Sequence, residues 1–178
     1  MAKPKRFRDN STAPIIAFDF DGTICMGDSF PHCNGELRPY TKEVINFLTA
    51  VGMNVVLYTS RDIAINQDTY AVHDDITPMI QFMDRHGINY SAINKSVQFA
   101  PFAYNSRKIY AHMYVDDRGY GWTESEMVMI YLLDDILERM LEIDEEHAGK
   151  ITAAIANGKE IEEEEIEYYK NYIREFWI

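Results

Sequence analysis

The sequence predicts an α/β fold, a parallel sheet with helices on both faces, followed by a C-terminal helical appendage. Three observations predict it. Short apolar runs that read as buried strands alternate with segments of helical period. Two of these runs, Ile15–Phe18 and His112–Val115, lead into paired acids, Asp19 with Asp21 and Asp116 with Asp117. Charge is also uneven along the 178 residues, whose net charge is −12: residues 1–121 hold 13 acids against 12 Lys and Arg, whereas residues 122–178 hold 16 against 5. The shift near Gly121 divides a catalytic-looking unit, residues 14–121, from an acidic tail.

Residues 1–13 read as a flexible basic arm. The first strand spans about 15–19 and runs into the turn Asp21-Gly22-Thr23. Residues 24–38 read as a loop or flap over that turn. Pro39 to Glu43 opens a helix whose Val44, Ile45, Phe47, Leu48 and Val51 recur at helical spacing, and Gly52 suits its stop. The second strand, Asn54–Tyr58, delivers Thr59-Ser60-Arg61. Residues 62–76 are ambiguous, with Ala71 and Val72 assignable to a helix. Thr77-Pro78 starts a clearer helix that ends at Gly87, since proline suits a first helical turn. The third strand is about Tyr90–Ile93, residues 96–107 are mostly loop, and the fourth strand is about 111–115. The first strand is expected at the centre, flanked by the second and fourth, so that Asp19, Thr59 and Asp116 meet at one sheet edge.

The tail reads as helical. Thr123 to Glu126 has the capping-box pattern. The run Met127–Leu133 is apolar all round and continues at helical spacing through Ile136, Leu137, Met140 and Leu141. A shorter helix is expected at 150–156 and a last one at 160–176, separated by Asn157-Gly158. A helix apolar on every side must be buried. The tail therefore needs a third surface, either the core or the tail of a partner chain, and the latter would make a homodimer.

Composition narrows the function. Hydrophobic content of 47% supports a packed core, and no apolar run approaches the ~20 residues of a membrane span. The N-terminus lacks the apolar region of a signal peptide, which predicts a cytoplasmic protein. Cys25 and Cys33 are too few for a disulfide framework and read as free thiols. The five histidines show no metal spacing. The acidic tail opposes nonspecific binding to polyphosphate.

The chemistry gathers on the paired acids. A strand interior would leave such charges unpaired, so they belong at strand exits, where ligands bind in open α/β sheets. Two such exits suggest a shared divalent cation, since Mg²⁺ prefers carboxylate and phosphate oxygens.

Asp19-Phe20-Asp21-Gly22-Thr23 resembles the first motif of the haloacid-dehalogenase superfamily, in its phosphatase branch. Thr59 fits the second motif, Asp116-Asp117 the fourth, and an upstream lysine would be the third. The tracts Leu57–Arg61 and Arg107-Lys108-Ile109-Tyr110-Ala111 through Arg118 resemble small capless hydrolases of bacteria and phages. They also resemble the 3′-phosphatase domain of polynucleotide kinase-phosphatases. The resemblance covers residues 14–121.

It implies a Rossmann-like fold and a phosphomonoesterase acting through an aspartyl-phosphate. Asp19 would be the nucleophile and Asp21 the general acid and then base. Thr59 would bind a phosphoryl oxygen through its hydroxyl and main-chain N–H, with Ser60 as competitor. Lys108, or Lys95 in its place, would bind phosphate. Arg61 would either grip substrate phosphate or pair with an acid, and Gly22 lies at the substrate turn. Mg²⁺ would sit on the Asp19 carboxylate, the Asp21 main-chain carbonyl and Asp116, with Asp117 holding water or the lysine, or exchanging roles with Asp116. No gap has room for a full cap domain. An open site admits a nucleic-acid end, a phosphoprotein or a small phosphate ester, and the resemblance points to a nucleotide or polynucleotide 3′-phosphate. A reading of a different class is a non-catalytic, Mg²⁺-binding assembly protein whose acidic tail is the functional part.

Overall fold

A computed structural model describes residues 13–27, 30–97, 109–119 and 121–177. Strand β1 (Ile15–Phe18) is buried along its whole length because both its faces are covered, which is why it reads as a continuous apolar run. Ile16 and Phe18 join the larger core on one face, while Ile15 and Ala17 pack with Val56 and Ile109 on the other. Short elements follow: β2 (Cys25–Met26), β3 (Glu36–Leu37), α1 (Thr41–Ala50), β4 (Asn54–Leu57), β5 (Ile63–Ile65), β6 (Val72–Asp74), α2 (Ile76–His86), β7 (Ala92–Ile93) and β8 (Met113–Val115). The sheet order is β7-β4-β1-β8 and every pairing in it is parallel. Central β1 is thus flanked by the second and fourth predicted strands. The register Phe18↔Leu57 and Phe18↔Val115 brings the exits of β1, β4 and β8 level.

Two local expectations change. The loop 24–38 carries a small antiparallel pair, β2 with β3. Residues 62–76 form no helix before Ile76; β5 and β6 make an antiparallel hairpin, with Ile65 paired to Val72. The reason is local: Ile63, Ala64 and Ile65 have strand-like period, and Asn66 closes the turn by accepting the N–H groups of Asp68 and Thr69, each at 2.9 Å. The residues 98–108, which include Phe99, Phe102, Tyr104, Arg107 and Lys108, lie outside those described, as do residues 1–12.

The tail comprises α3 (Val128–Asp135), a π-helical turn (Ile136–Met140), α4 (Glu145–Ala156) and α5 (Glu163–Phe176). The capping box at Thr123 does not form, because α3 begins later and takes Met127 at its N-cap. Ser125 instead accepts the Met127 N–H at 3.1 Å. Helix α4 starts earlier than expected, where Asp144 accepts the His147 N–H at 3.1 Å and caps the end.

The third surface that the tail requires is α1 of the same chain. Tyr169 on α5 is fully buried, its ring edge-on to Phe47 of α1 at 5.6 Å. The Tyr172 hydroxyl donates to the Leu141 carbonyl at 2.6 Å. One apolar core runs from Phe18 and Leu48 to Leu133, Ile155 and Tyr169, so most of the tail's apolar surface is buried within its own chain. Among the described residues, no helix is long and apolar enough to cross a membrane.

Candidate active site

The site begins where β1 runs out. The Asp19 N–H donates to the Val115 carbonyl at 2.8 Å, so the last ladder bond of β1 and β8 fixes the backbone that carries its carboxylate. Strand β8 then delivers Asp116 and Asp117, and one carboxylate oxygen from each of Asp19, Asp116 and Asp117 lies within 4.8 Å of the others. Burial, reinforced by the charges of Asp116, Asp21 and Asp117 and opposed by the Phe20 N–H, pushes the Asp19 carboxyl up to about 7. Asp117 is also raised, by burial and then by Asp116. Three converging oxygens of this kind fit a hard divalent cation, which would relieve their repulsion. Asp117 stands with the other two, whereas the Asp21 carboxylate does not join them.

The turn beneath the trio is held from several sides. Buried Thr23 accepts the Asp117 N–H through its hydroxyl oxygen at 2.8 Å. Gly22 adopts φ 85, and a Cβ there would lie 2.3 Å from the Asp117 carboxylate, so only glycine lets that side chain settle against the turn. The Gly22 N–H donates to the Cys25 carbonyl, and its own carbonyl accepts from Arg38. Gly22 therefore shapes the turn. Arg38 is buried, bonds the Thr23 carbonyl at 2.8 Å, and meets Glu124 at 3.5 Å. The sequence marks Arg38 by nothing more than a single cation in a loop.

Arg61 resolves an alternative left open by the sequence. Its Nε donates to one Asp21 oxygen at 2.8 Å and an Nη to the other at 2.6 Å, while the second Nη reaches the Pro31 and Asp75 carbonyls. The guanidinium is 5.1 Å from the Phe20 ring centroid and 5.2 Å from that of Phe30, and the residue is 1% exposed. A guanidinium so enclosed pairs with the acid and does not grip a substrate phosphate.

Thr59 leaves β4 beside the trio, but its main-chain N–H is already spent. It donates to Asn94 Oδ1 at 2.9 Å, and the Asn94 amide returns a bond to the Thr59 carbonyl at 2.8 Å. The expectation that this N–H binds phosphate is corrected, and the hydroxyl is what remains. Its oxygen accepts the Arg61 N–H at 3.2 Å, so the O–H stays available as a donor. Asn94, which sequence reasoning missed, sits just past β7 at φ 47, a backbone that asparagine tolerates.

These groups surround a cleft of about 700 Å³, lined by Asp19, Asp21, Asp62, Asp116 and Asp117 together with Tyr58, Thr59, Ser60, Asn94 and Arg118. Exposed Lys95 does not line it, and Lys108 lies outside the described residues. Both cysteines are buried free thiols, and His112 accepts the Ile15 N–H at 2.9 Å as a packing residue.

No family model matches the chain, and neither does any curated protein. Among solved structures, a conserved protein from Bacteroides thetaiotaomicron is similar, at 24% identity and a TM-score of 0.53. The match covers 72% of this chain and 93% of that one. That likeness concerns the fold and leaves chemistry to the residues themselves.

Proposed function

We propose that this chain is a Mg²⁺-dependent phosphomonoesterase that works through an aspartyl-phosphate on Asp19. The observation that carries the reading is the convergence of Asp19, Asp116 and Asp117 within 4.8 Å at the sheet's carboxyl edge, beside the Thr59 hydroxyl. In the first half-reaction an Asp19 oxygen bonds to phosphorus and the ester P–O bond breaks; the resemblance gives Asp21 the proton transfer to the leaving oxygen, for which its carboxylate must first loosen from Arg61 and take up a proton. In the second, Asp21 takes a proton from water as that water attacks the phosphorus, which frees inorganic phosphate and the Asp19 carboxylate. Thr59 donates its hydroxyl to a phosphoryl oxygen, and Ser60 stands at the same rim. The resemblance adds Lys108 as a phosphate-binding cation.

The residues that would hold Mg²⁺ are Asp19, Asp116 and Asp117. When bound, the ion would neutralise charge between an anionic nucleophile and an anionic phosphate. The resemblance suggests nucleotides or polynucleotide ends as substrates. Among the described residues, five acids line the cleft against one arginine, which favours a small monoester over a long polyanion.

Phosphate release from para-nitrophenyl phosphate, with and without Mg²⁺, tests the reading. Turnover that needs Mg²⁺ and is lost in Asp19→Asn supports it. Undiminished turnover in Asp19→Asn sinks the mechanism. Binding of Mg²⁺ with no turnover over a broad ester panel favours the non-catalytic assembly protein.

A further inference from the structure

We infer that a second cavity, which shares Asp116 with the acidic cleft, is the leaving-group subsite and takes an uncharged planar aromatic ring. The inference rests on the phosphomonoesterase reading. The cavity holds about 310 Å³, within the range of small-molecule pockets. Its lining includes Val128 and Leu132 of α3 with Tyr114, Trp122 and Tyr131.

The chemistry of the occupant follows from what the fold leaves uncovered. The run Met127–Leu133 is apolar all round and requires burial on every side. Docking of the tail covers Val128, Met129, Ile130 and Leu133, but Tyr131 stays 59% exposed and Leu132 half-buried. Both line this cavity, as does Tyr114, 41% exposed on the edge strand β8. Tyr114 and Tyr131 thus bring exposed aromatic surface to this cavity, while Phe30, Tyr70 and Tyr168 are exposed elsewhere.

Two links join the cavity to the reacting end. The Tyr114 ring meets that of Tyr58 edge-on at 5.8 Å, and Tyr58 lines the acidic cleft. The Trp122 ring lies 4.9 Å beneath the guanidinium of Arg38, which holds the carbonyls of Gly22 and Thr23 in the turn after Asp19. Charge selects among rings. The charged lining residues are Asp116 and Asp135, and no Lys or Arg is among the described residues that line the cavity. A ring carrying a further phosphate would be repelled, so the class is a monoester of an uncharged aryl-bearing alcohol or nucleoside.

Phenethyl phosphate and ethyl phosphate test this, because both release a primary alkoxide and differ in the ring. The intact protein with Mg²⁺ is expected to show kcat/KM about 30-fold higher for phenethyl phosphate, a preference reduced to a few-fold in Tyr131→Ser. Ethyl phosphate, which lacks the ring, controls for folding. Equal values for the two esters in the native protein, or an unaltered ratio in Tyr131→Ser, would overturn the inference. If neither ester turns over, the phosphatase reading fails, and calorimetry with phenethylphosphonate and ethylphosphonate decides the subsite alone. Tighter phenethylphosphonate binding that Tyr131→Ser abolishes supports it, and equal binding overturns it. A dimer in sedimentation that Tyr131→Ser dissociates would make a second copy the occupant, which also overturns it.

Discussion

Replacing Arg61 by methionine removes the charge that faces Asp21 and keeps much of the stem between the Phe20 and Phe30 rings. Arg61 is 1% exposed and donates to both Asp21 oxygens and to the Pro31 and Asp75 carbonyls. Breaking a buried ion pair from one side costs ~3–5 kcal/mol. The Asp21 side chain is 26% exposed, so water partly solvates the orphaned carboxylate and places the cost near the lower bound. Two carbonyls left without their donor add ~1 kcal/mol each at most, since water can replace some of that. Arg61→Met is therefore expected to lose about 3–4 kcal/mol in urea unfolding. A double-mutant cycle with Asp21→Asn isolates the pair, and the double variant should be more stable than the sum of the single losses predicts. A loss under about 1 kcal/mol with a large rise in KM would refute the reasoning, because it would place the guanidinium on substrate instead of on Asp21.

Gly22→Ala meets the Asp117 carboxylate at a backbone angle that disfavours a side chain, so it should cost ~1–3 kcal/mol and weaken Mg²⁺ binding, both readable by calorimetry. Asp19 is raised from 3.8 to about 7 in the folded metal-free protein. Between these values the native state holds the extra proton, so its stability falls as pH rises from about 4 to about 7. Thermal melts in chelator should show this slope, and Asp19→Asn or saturating Mg²⁺ should flatten it. The Tyr169 hydroxyl is buried with no partner among the described residues, so Tyr169→Phe should be neutral or stabilising by up to ~1 kcal/mol, measured by urea unfolding.

The sheet was legible because its strands are short apolar runs buried on both faces, and the acids at their ends mark the exits. Ile15–Phe18 needs no context to be read as a central strand. The hairpin at 63–74 was not, because three residues of strand period are too few to outweigh Ala71-Val72, and its turn depends on the single side chain of Asn66. Asp19, Asp116 and Asp117 were found by residue type and position. Arg61 was seen but not decided, since its partner Asp21 lies 40 residues away and spacing does not say which of two anions a guanidinium will meet. Asn94 and Arg38 were invisible for the same reason: each works by bonding main-chain groups distant in sequence, and backbone carbonyls and N–H groups leave no mark in a sequence. The tail's need for burial could be read, but its answer, the Phe47 face of α1, needed the fold.

The most direct test of an aspartyl-phosphate on Asp19 is the stereochemistry at phosphorus. Each in-line displacement inverts the centre, so attack by Asp19 followed by attack of water gives net retention. Hydrolysis of a thiophosphate ester made chiral with oxygen isotopes, by the Mg²⁺-loaded protein in labelled water, is predicted to give retained configuration. Net inversion would mean that water attacks the ester directly, and it would contradict a covalent role for Asp19.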